Sequence, residues 1–106
     1  MNEEYNEYLT SVKWADKREL RLELSRGRCE YCGYHTCVQV HHLTYERIFH
    51  EDMEDLMCLC KHHHEILEAL IKRGKIARKG DTKRLRDASL KALRQDETDR
   101  ENAEYE

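Results

Sequence analysis

The chain has 106 residues, of which 39% are charged and 39% hydrophobic, with a formal net charge of −3 and a mean hydropathy of −1.00. That size fits one domain with tails and only a thin apolar core. No apolar run approaches the roughly 20 residues of a membrane span and no signal-type apolar region follows Met1, so the expectation is a cytoplasmic protein, neither membrane-bound nor secreted.

Residues 1–9 are polar and read as a disordered N-terminus. Thr10 or Ser11 can cap a helix that runs through Trp14, Leu20 and Leu24 and stops at Gly27. Trp14 reads as a core anchor, since little else in the chain is large and apolar. A Cys-rich knuckle follows over 28–37, with Gly33 allowing its turn. Val38, Val40 and His42 alternate with Gln39 and His41, the pattern of a short strand whose two histidines face opposite sides. Residues 43–52 lack periodicity and read as a loop, and the apolar run Leu56, Met57, Cys58, Leu59 reads as a second strand. A helix is expected from Lys61 to Arg73, with Ile66, Leu67, Leu70 and Ile71 on one face and Gly74 beyond its end. A last helix starts near Asp81 or Thr82 and carries an apolar stripe of Leu85, Ala88, Ser89, Ala92 and Leu93. The domain therefore spans 10–94, and 95–106 reads as an acidic, disordered tail.

Five cysteines and seven histidines stand out in so small a chain. The odd cysteine count and the lack of a signal segment argue against a disulfide framework. A redox CxxC would want a βαβ context, which is not offered here. Cys29-x2-Cys32 and Cys60-x2-His63 instead present four ligands from two turns, the arrangement of a structural Cys₃His zinc site. His62, His64 and Cys58 are alternatives for the fourth ligand, and Cys37 reads as a small buried hydrophobe. Structural zinc contributes roughly 10–16 kcal/mol in small domains, enough to offset a thin core. The strand–loop–strand–helix order also brings His42 near His64, and a neutral imidazole can take a proton from water while another binds a divalent ion.

Charge is unevenly distributed. Residues 71–94 carry +8 and residues 95–106 carry −5. The stretch 72–94, with Lys72, Arg73, Lys75, Arg78 and Lys79 at its start, is a basic arm suited to neutralising phosphates.

The stretches Cys29-Glu30-Tyr31-Cys32-Gly33, Val40-His41-His42-Leu43-Thr44-Tyr45-Glu46-Arg47 and Glu54-Asp55-Leu56-Met57-Cys58-Leu59-Cys60-Lys61-His62-His63-His64-Glu65 together resemble an HNH endonuclease. The likeness is to the small phage and bacterial type with zinc knuckles and a Tyr-Glu-Arg loop, and it covers about residues 10–70. It implies an α+β fold with a ββα-metal (His-Me finger) core, a zinc-stapled knuckle pair and flanking helices. It implies metal-dependent hydrolysis of DNA phosphodiesters in a bacterial or phage setting, as a homodimer or within a larger phage or restriction complex. Carried over, His42 is the general base, His41 and His64 hold a catalytic Mg²⁺, Mn²⁺ or Ni²⁺, and Cys29, Cys32, Cys60 and His63 hold zinc. Asp55 stands where the family has its middle Asn, and His50 where the Tyr-Glu-Arg subgroup has a nearby Asn; either is expected to orient His42 or bind metal. Glu68 replaces a His often found after the last signature His. Arg47 is expected to contact phosphate or to pair with Glu46 or Glu51. The alternative function is a non-catalytic zinc module that only binds nucleic acid.

Overall fold

The computed structural model describes residues 3–37 and 39–104. It is an α+β arrangement of four helices and one two-stranded antiparallel sheet. In chain order these are α1 (Glu3–Leu9), α2 (Val12–Leu24), β1 (Gln39–His42), β2 (Leu56–Leu59), α3 (Lys61–Lys72) and α4 (Thr82–Glu104). A single 3₁₀ turn, Met53–Asp55, leads into β2. The order β1–β2–α3 is compatible with a ββα unit. Among the described residues no helix is long and apolar enough to cross a membrane.

The helix ends follow local chemistry. Ser11 Oγ accepts the Trp14 N–H at 3.2 Å and so caps α2. At its other end Gly27 adopts φ +70° and returns its N–H to the Leu22 carbonyl at 2.8 Å, a closure that favours a residue without Cβ. α3 ends with Gly74 at φ +76°, its N–H donated to the Ile71 carbonyl and the Lys75 N–H to the Leu70 carbonyl, both at 3.0 Å.

Both termini differ from the sequence expectation. Residues 3–9 form α1, whose Tyr8 is buried against Trp14. Two aromatics in a polar stretch were enough to anchor it, because each finds a ring partner on the domain. The acidic segment 95–104 continues α4. There Gln95–Asp99 and Asp96–Arg100 contacts span one helical turn, and Tyr31 donates to Glu97, so pairing offsets like-charge repulsion. Met1, Asn2, Val38, Tyr105 and Glu106 lie outside the described residues.

The sheet separates two small cores. The register pairs Val40 with Cys58, His41 with Met57 and His42 with Leu56. Met57 and Leu59 pack with Leu67 and Leu70 of α3 and Leu85 and Leu93 of α4. Leu56 and Cys58 pack on the other face with Trp14, Val40, Cys37 and Tyr8. β2 is covered on both faces, which is why it reads as a continuous apolar run. Cys37 is buried here, as expected of a small hydrophobe.

Glu30 closes the outer edge of β2. Its N–H donates to the Cys58 carbonyl at 2.8 Å, and its carboxylate accepts the Cys58 N–H at 2.6 Å. The same carboxylate pairs with Arg21 of α2 at 2.8 Å and with Arg86 of α4. Arg86 therefore works inside the fold, also donating to the Leu56 carbonyl at 2.6 Å. Glu30→Ala removes an acceptor shared by two guanidinium groups and a strand N–H. It is expected to cost about 1.5–3 kcal/mol, the range for hydrogen bonds to charged groups. A lower urea midpoint at unchanged slope checks this; an unchanged midpoint would show that the edge is held by other contacts.

Candidate metal centres and active site

Two ligand clusters and one buried imidazole–carboxylate pair lie around the sheet. The first cluster is Cys29, Cys32, Cys60 and His63, whose ligand atoms all lie within 4.8 Å of one another. Cys29 and Cys32 come from a tight knuckle closed by the Cys29 N–H to His35 carbonyl and Gly33 N–H to Cys29 carbonyl bonds, both 2.9 Å. Cys60 is the N-cap residue of α3, and His63 sits in its first turn, with Nδ1 3.2 Å from Cys60 Sγ and 3.9 Å from Cys29 Sγ. A tetrahedral ion with Zn–S about 2.3 Å and Zn–N about 2.0 Å sets its ligands roughly 3.5–3.8 Å apart. The four donors fit that demand, and all five cysteines are free thiols. The cluster can hold zinc. Of the alternatives for the fourth ligand, His62 is exposed, His64 faces the second cluster, and Cys58 is buried on the opposite face of the sheet.

The second cluster is His41, His64 and Glu68, again with ligand atoms within 4.8 Å. His64 and Glu68 are four residues apart on α3, and His41 faces them from β1. His41 Nδ1 is 3.1 Å and His64 Nε2 3.4 Å from Glu68 Oε1. Arg78, from the loop between α3 and α4, donates from Nη2 to both Glu68 oxygens at 3.0 and 2.9 Å and from Nη1 to the His42 carbonyl at 2.8 Å. Its guanidinium also lies over the Tyr45 ring, 4.8 Å from the centroid. Hydrogen bonds from His41 and His64, reinforced by the Arg78 charge, hold Glu68 well below the usual carboxylate range. Burial pushes His41 down, favouring the neutral imidazole that a metal needs. Two imidazoles and one carboxylate are a ligand set that suits a divalent ion.

His42 points to the other face of β1. Its ring stacks on Trp14 at 4.8 Å and on Tyr45 at 5.3 Å. Its Nε2 is 2.6 Å from Glu51 Oε2, and the Glu51 side chain has no exposed surface. Burial alone would raise the Glu51 pKa; hydrogen bonds from Tyr8, His42 and Lys17, with one from its own backbone, overcome this and hold it lowered. An ionised carboxylate only accepts, so Nε2 carries the proton and the lone pair is on Nδ1. Burial also lowers the His42 pKa, despite Glu51.

One cavity of about 260 Å³ joins the last two groups. His41, His42, His64 and Glu68 all line it, with Tyr5 of α1 and Tyr45 beside them. Gln39, Val40, His41 and His42 contribute in succession, so the cavity follows the edge of β1 that has no neighbouring strand.

Two expected orienting residues are not on His42. Asp55 Oδ1 and Oδ2 are taken by Arg47 at 2.5 and 2.8 Å, and Oδ2 also by the Asp52 N–H at 3.0 Å. Asp55 thereby closes the 3₁₀ turn, and acts on His42 only through its field. Burial would raise Asp55, but the Arg47 bonds win and lower it. His50 is exposed at the loop surface. Glu51, the next residue, holds the imidazole instead. Arg47 pairs with Asp55 and Asp52 rather than with Glu46 or Glu51. Lys72, Arg73, Lys75 and Lys79 are exposed, and Arg78 alone of that set reaches the cavity's ligands. Glu68 could have been found from its helical spacing to His64. Glu51 had no such signal, because its approach depends on the loop path.

Comparison with protein-family models, with curated proteins and with solved structures gives no match.

Two outcomes are expected. Zinc-loaded protein should hold about one equivalent by elemental analysis, and Cys60→Ser should lose it while Cys37→Ser keeps it; equal zinc in both would put the ion elsewhere. For pH, His41 and His42 titrate in the unfolded chain near 6.5 and lower in the fold. The unfolded state then binds more protons as pH falls through that range, so stability is full above pH ~6.5 and declines below it. Loss of the ionised Glu51 and Glu68 adds to this under more acidic conditions. Thermal midpoints measured from pH 8 to pH 5 should fall; a rise would contradict neutral buried imidazoles.

Proposed function

We propose that this chain is a metal-dependent endonuclease of the HNH type that hydrolyses DNA phosphodiester bonds. The observation that carries the reading is that His42, backed by Glu51, and the His41–His64–Glu68 cluster line one cavity. General-base chemistry and a site for a divalent ion thus meet at a single surface. The resemblance over residues 29–65 supports the same assignment.

His41, His64 and Glu68 would hold the divalent ion. When bound, such an ion supplies Lewis-acid polarisation of a phosphoryl oxygen and stabilises a leaving oxygen. Imidazole donors favour Mn²⁺ or Ni²⁺ over Mg²⁺. His42 Nδ1 takes the proton from a water that attacks phosphorus. The P–O3′ bond breaks as the P–O bond to water forms, and the 3′ oxygen takes a proton from solvent. The products are a 5′-phosphate and a 3′-hydroxyl. Glu51, on Nε2, stabilises the imidazolium formed when Nδ1 takes the proton of the attacking water. Arg78 would receive a phosphate oxygen beside Glu68, and Lys72, Arg73, Lys75 and Lys79 would extend positive charge outward along the same segment. Duplex affinity through these groups should weaken steeply with salt. One such site cuts one strand, so double-strand cleavage would need two copies or two visits.

Supercoiled plasmid incubated with wild type in Mg²⁺, Mn²⁺ or Ni²⁺ should relax, and should stay intact in EDTA. His42→Ala should slow relaxation about 10²–10⁴-fold, the range for a general base, with zinc content unchanged. No cutting in any metal by folded, zinc-loaded wild type would overturn the nuclease reading in favour of a non-catalytic module that binds nucleic acid.

A further inference from the structure

We propose that Tyr8 and Lys17 are positioning residues for His42. Acting through Glu51, they keep His42 in the Nε2–H tautomer with the Nδ1 lone pair available to the cavity. The catalytic consequence rests on the nuclease reading; the tautomer does not.

The two Glu51 oxygens are divided between two tasks. Oε2 faces His42 Nε2 at 2.6 Å. Oε1 accepts the Tyr8 hydroxyl at 2.5 Å and Lys17 Nζ at 3.0 Å. The Glu51 side chain has no exposed surface, so losing either donor leaves a buried carboxylate oxygen short of a partner. If Oε1 lost them, the carboxylate would turn toward other donors or take up a proton, and His42 would lose its fixed acceptor. Either tautomer of the imidazole would then be open to it.

The same two residues shape the loop that delivers Glu51. Lys17 Nζ also donates to the Phe49 carbonyl at 3.2 Å. Phe49 adopts φ +73°, a left-handed conformation costly for a residue with a side chain. The Tyr8 ring meets Phe49 edge-on at 5.1 Å and lies 5.8 Å from Trp14, which stacks on His42. α1 and the start of α2 therefore reach the imidazole by two routes, rings on one side and the carboxylate on the other.

A purely packing role for Tyr8 makes a different prediction. Tyr8→Phe keeps the ring and its aromatic contacts and removes only the O–H. Lys17→Met keeps the aliphatic stem and removes the charge. Long-range proton–nitrogen correlation spectra of zinc-loaded protein labelled with ¹⁵N-histidine report each ring's tautomer directly. Wild type should show His42 as Nε2–H. Each variant should show a mixture of tautomers with thermal unfolding still cooperative, and plasmid relaxation should show kcat reduced about 10–100-fold with KM within about twofold. A His42 ring that is Nδ1–H in wild type would overturn the proposal. So would an unchanged tautomer in both variants, whatever their activity. If wild type does not cut DNA in any metal, the nuclease reading fails, and the tautomer measurement still decides this one.

Discussion

The antiparallel pairing of β1 with β2 is the constraint on which the rest depends. A strand sends successive side chains to opposite faces, and the observed register places His41 opposite Met57 and His42 opposite Leu56. Met57 belongs to the core shared with α3 and α4, and Leu56 to the core shared with α2. His41 is thereby delivered to His64 and Glu68, and His42 to Trp14 and Glu51. A slip of one residue would exchange the two histidines and leave an imidazole without its carboxylate on each side. The apolar residues of β2 thus fix the chemistry of β1. Because β1 ends at His42 and has a partner on one side only, both rings reach the same cavity.

Two small cores on either side of a two-stranded sheet give such a chain little stabilisation to spare. The Cys₃His cluster is placed where a crosslink is most useful. It joins the knuckle after α2 to the junction of β2 and α3, two segments about 30 residues apart in sequence. The junction residue Cys60 is also the N-cap of α3, so whatever holds its sulfur also sets the direction in which α3 leaves the sheet. That direction decides whether His64 and Glu68 face His41. Zinc held there would support the second cluster through the first turn of one helix, with no shared ligand between the two.

The parts of the fold that were legible in the sequence are those fixed by short-range rules. The CxxC and CxxH spacings, the Ser11 cap and the strand alternation depend on neighbours a few residues away and are found where expected, and of the α4 stripe Leu85, Ser89 and Leu93 are buried and Ala92 partly so, while Ala88 is exposed. What was missed depends on tertiary approach. Glu51 reaches His42 through the 43–52 loop and its left-handed Phe49, which no periodicity announces. Asp55 matched a family position, yet Arg47 lies nearer and takes its carboxylate. α1 was hidden because its polar composition outweighs two tyrosines, and only a folded partner shows that Tyr5 and Tyr8 have rings to meet. The acidic end of α4 misled for a related reason: composition records net charge, whereas a helix responds to the pairing of charges one turn apart.

Burial and the charge balance around the two histidines lower the pKa of both. A carboxylate beside a histidine normally raises its pKa and favours imidazolium. Here each carboxylate has its own cation: Arg78 covers Glu68 and Lys17 covers Glu51. Burial is the largest influence on both rings and outweighs the neighbouring carboxylate, and the Arg78 charge adds to the downward direction at both. A neutral His41 can donate its lone pair to a metal, and a neutral His42 can accept a proton from water. The two cations differ in what they do next. Lys17 is held between Glu51 and the Phe49 carbonyl, in the interior of the loop. Arg78 sits on a loop bounded by Gly74 and Gly80, both at positive φ, with Tyr45 beneath its guanidinium. An ion held by His41, His64 and Glu68 would compete with Arg78 for the carboxylate that all of them share, so the position of the guanidinium and the occupancy of the cluster would depend on each other through Glu68.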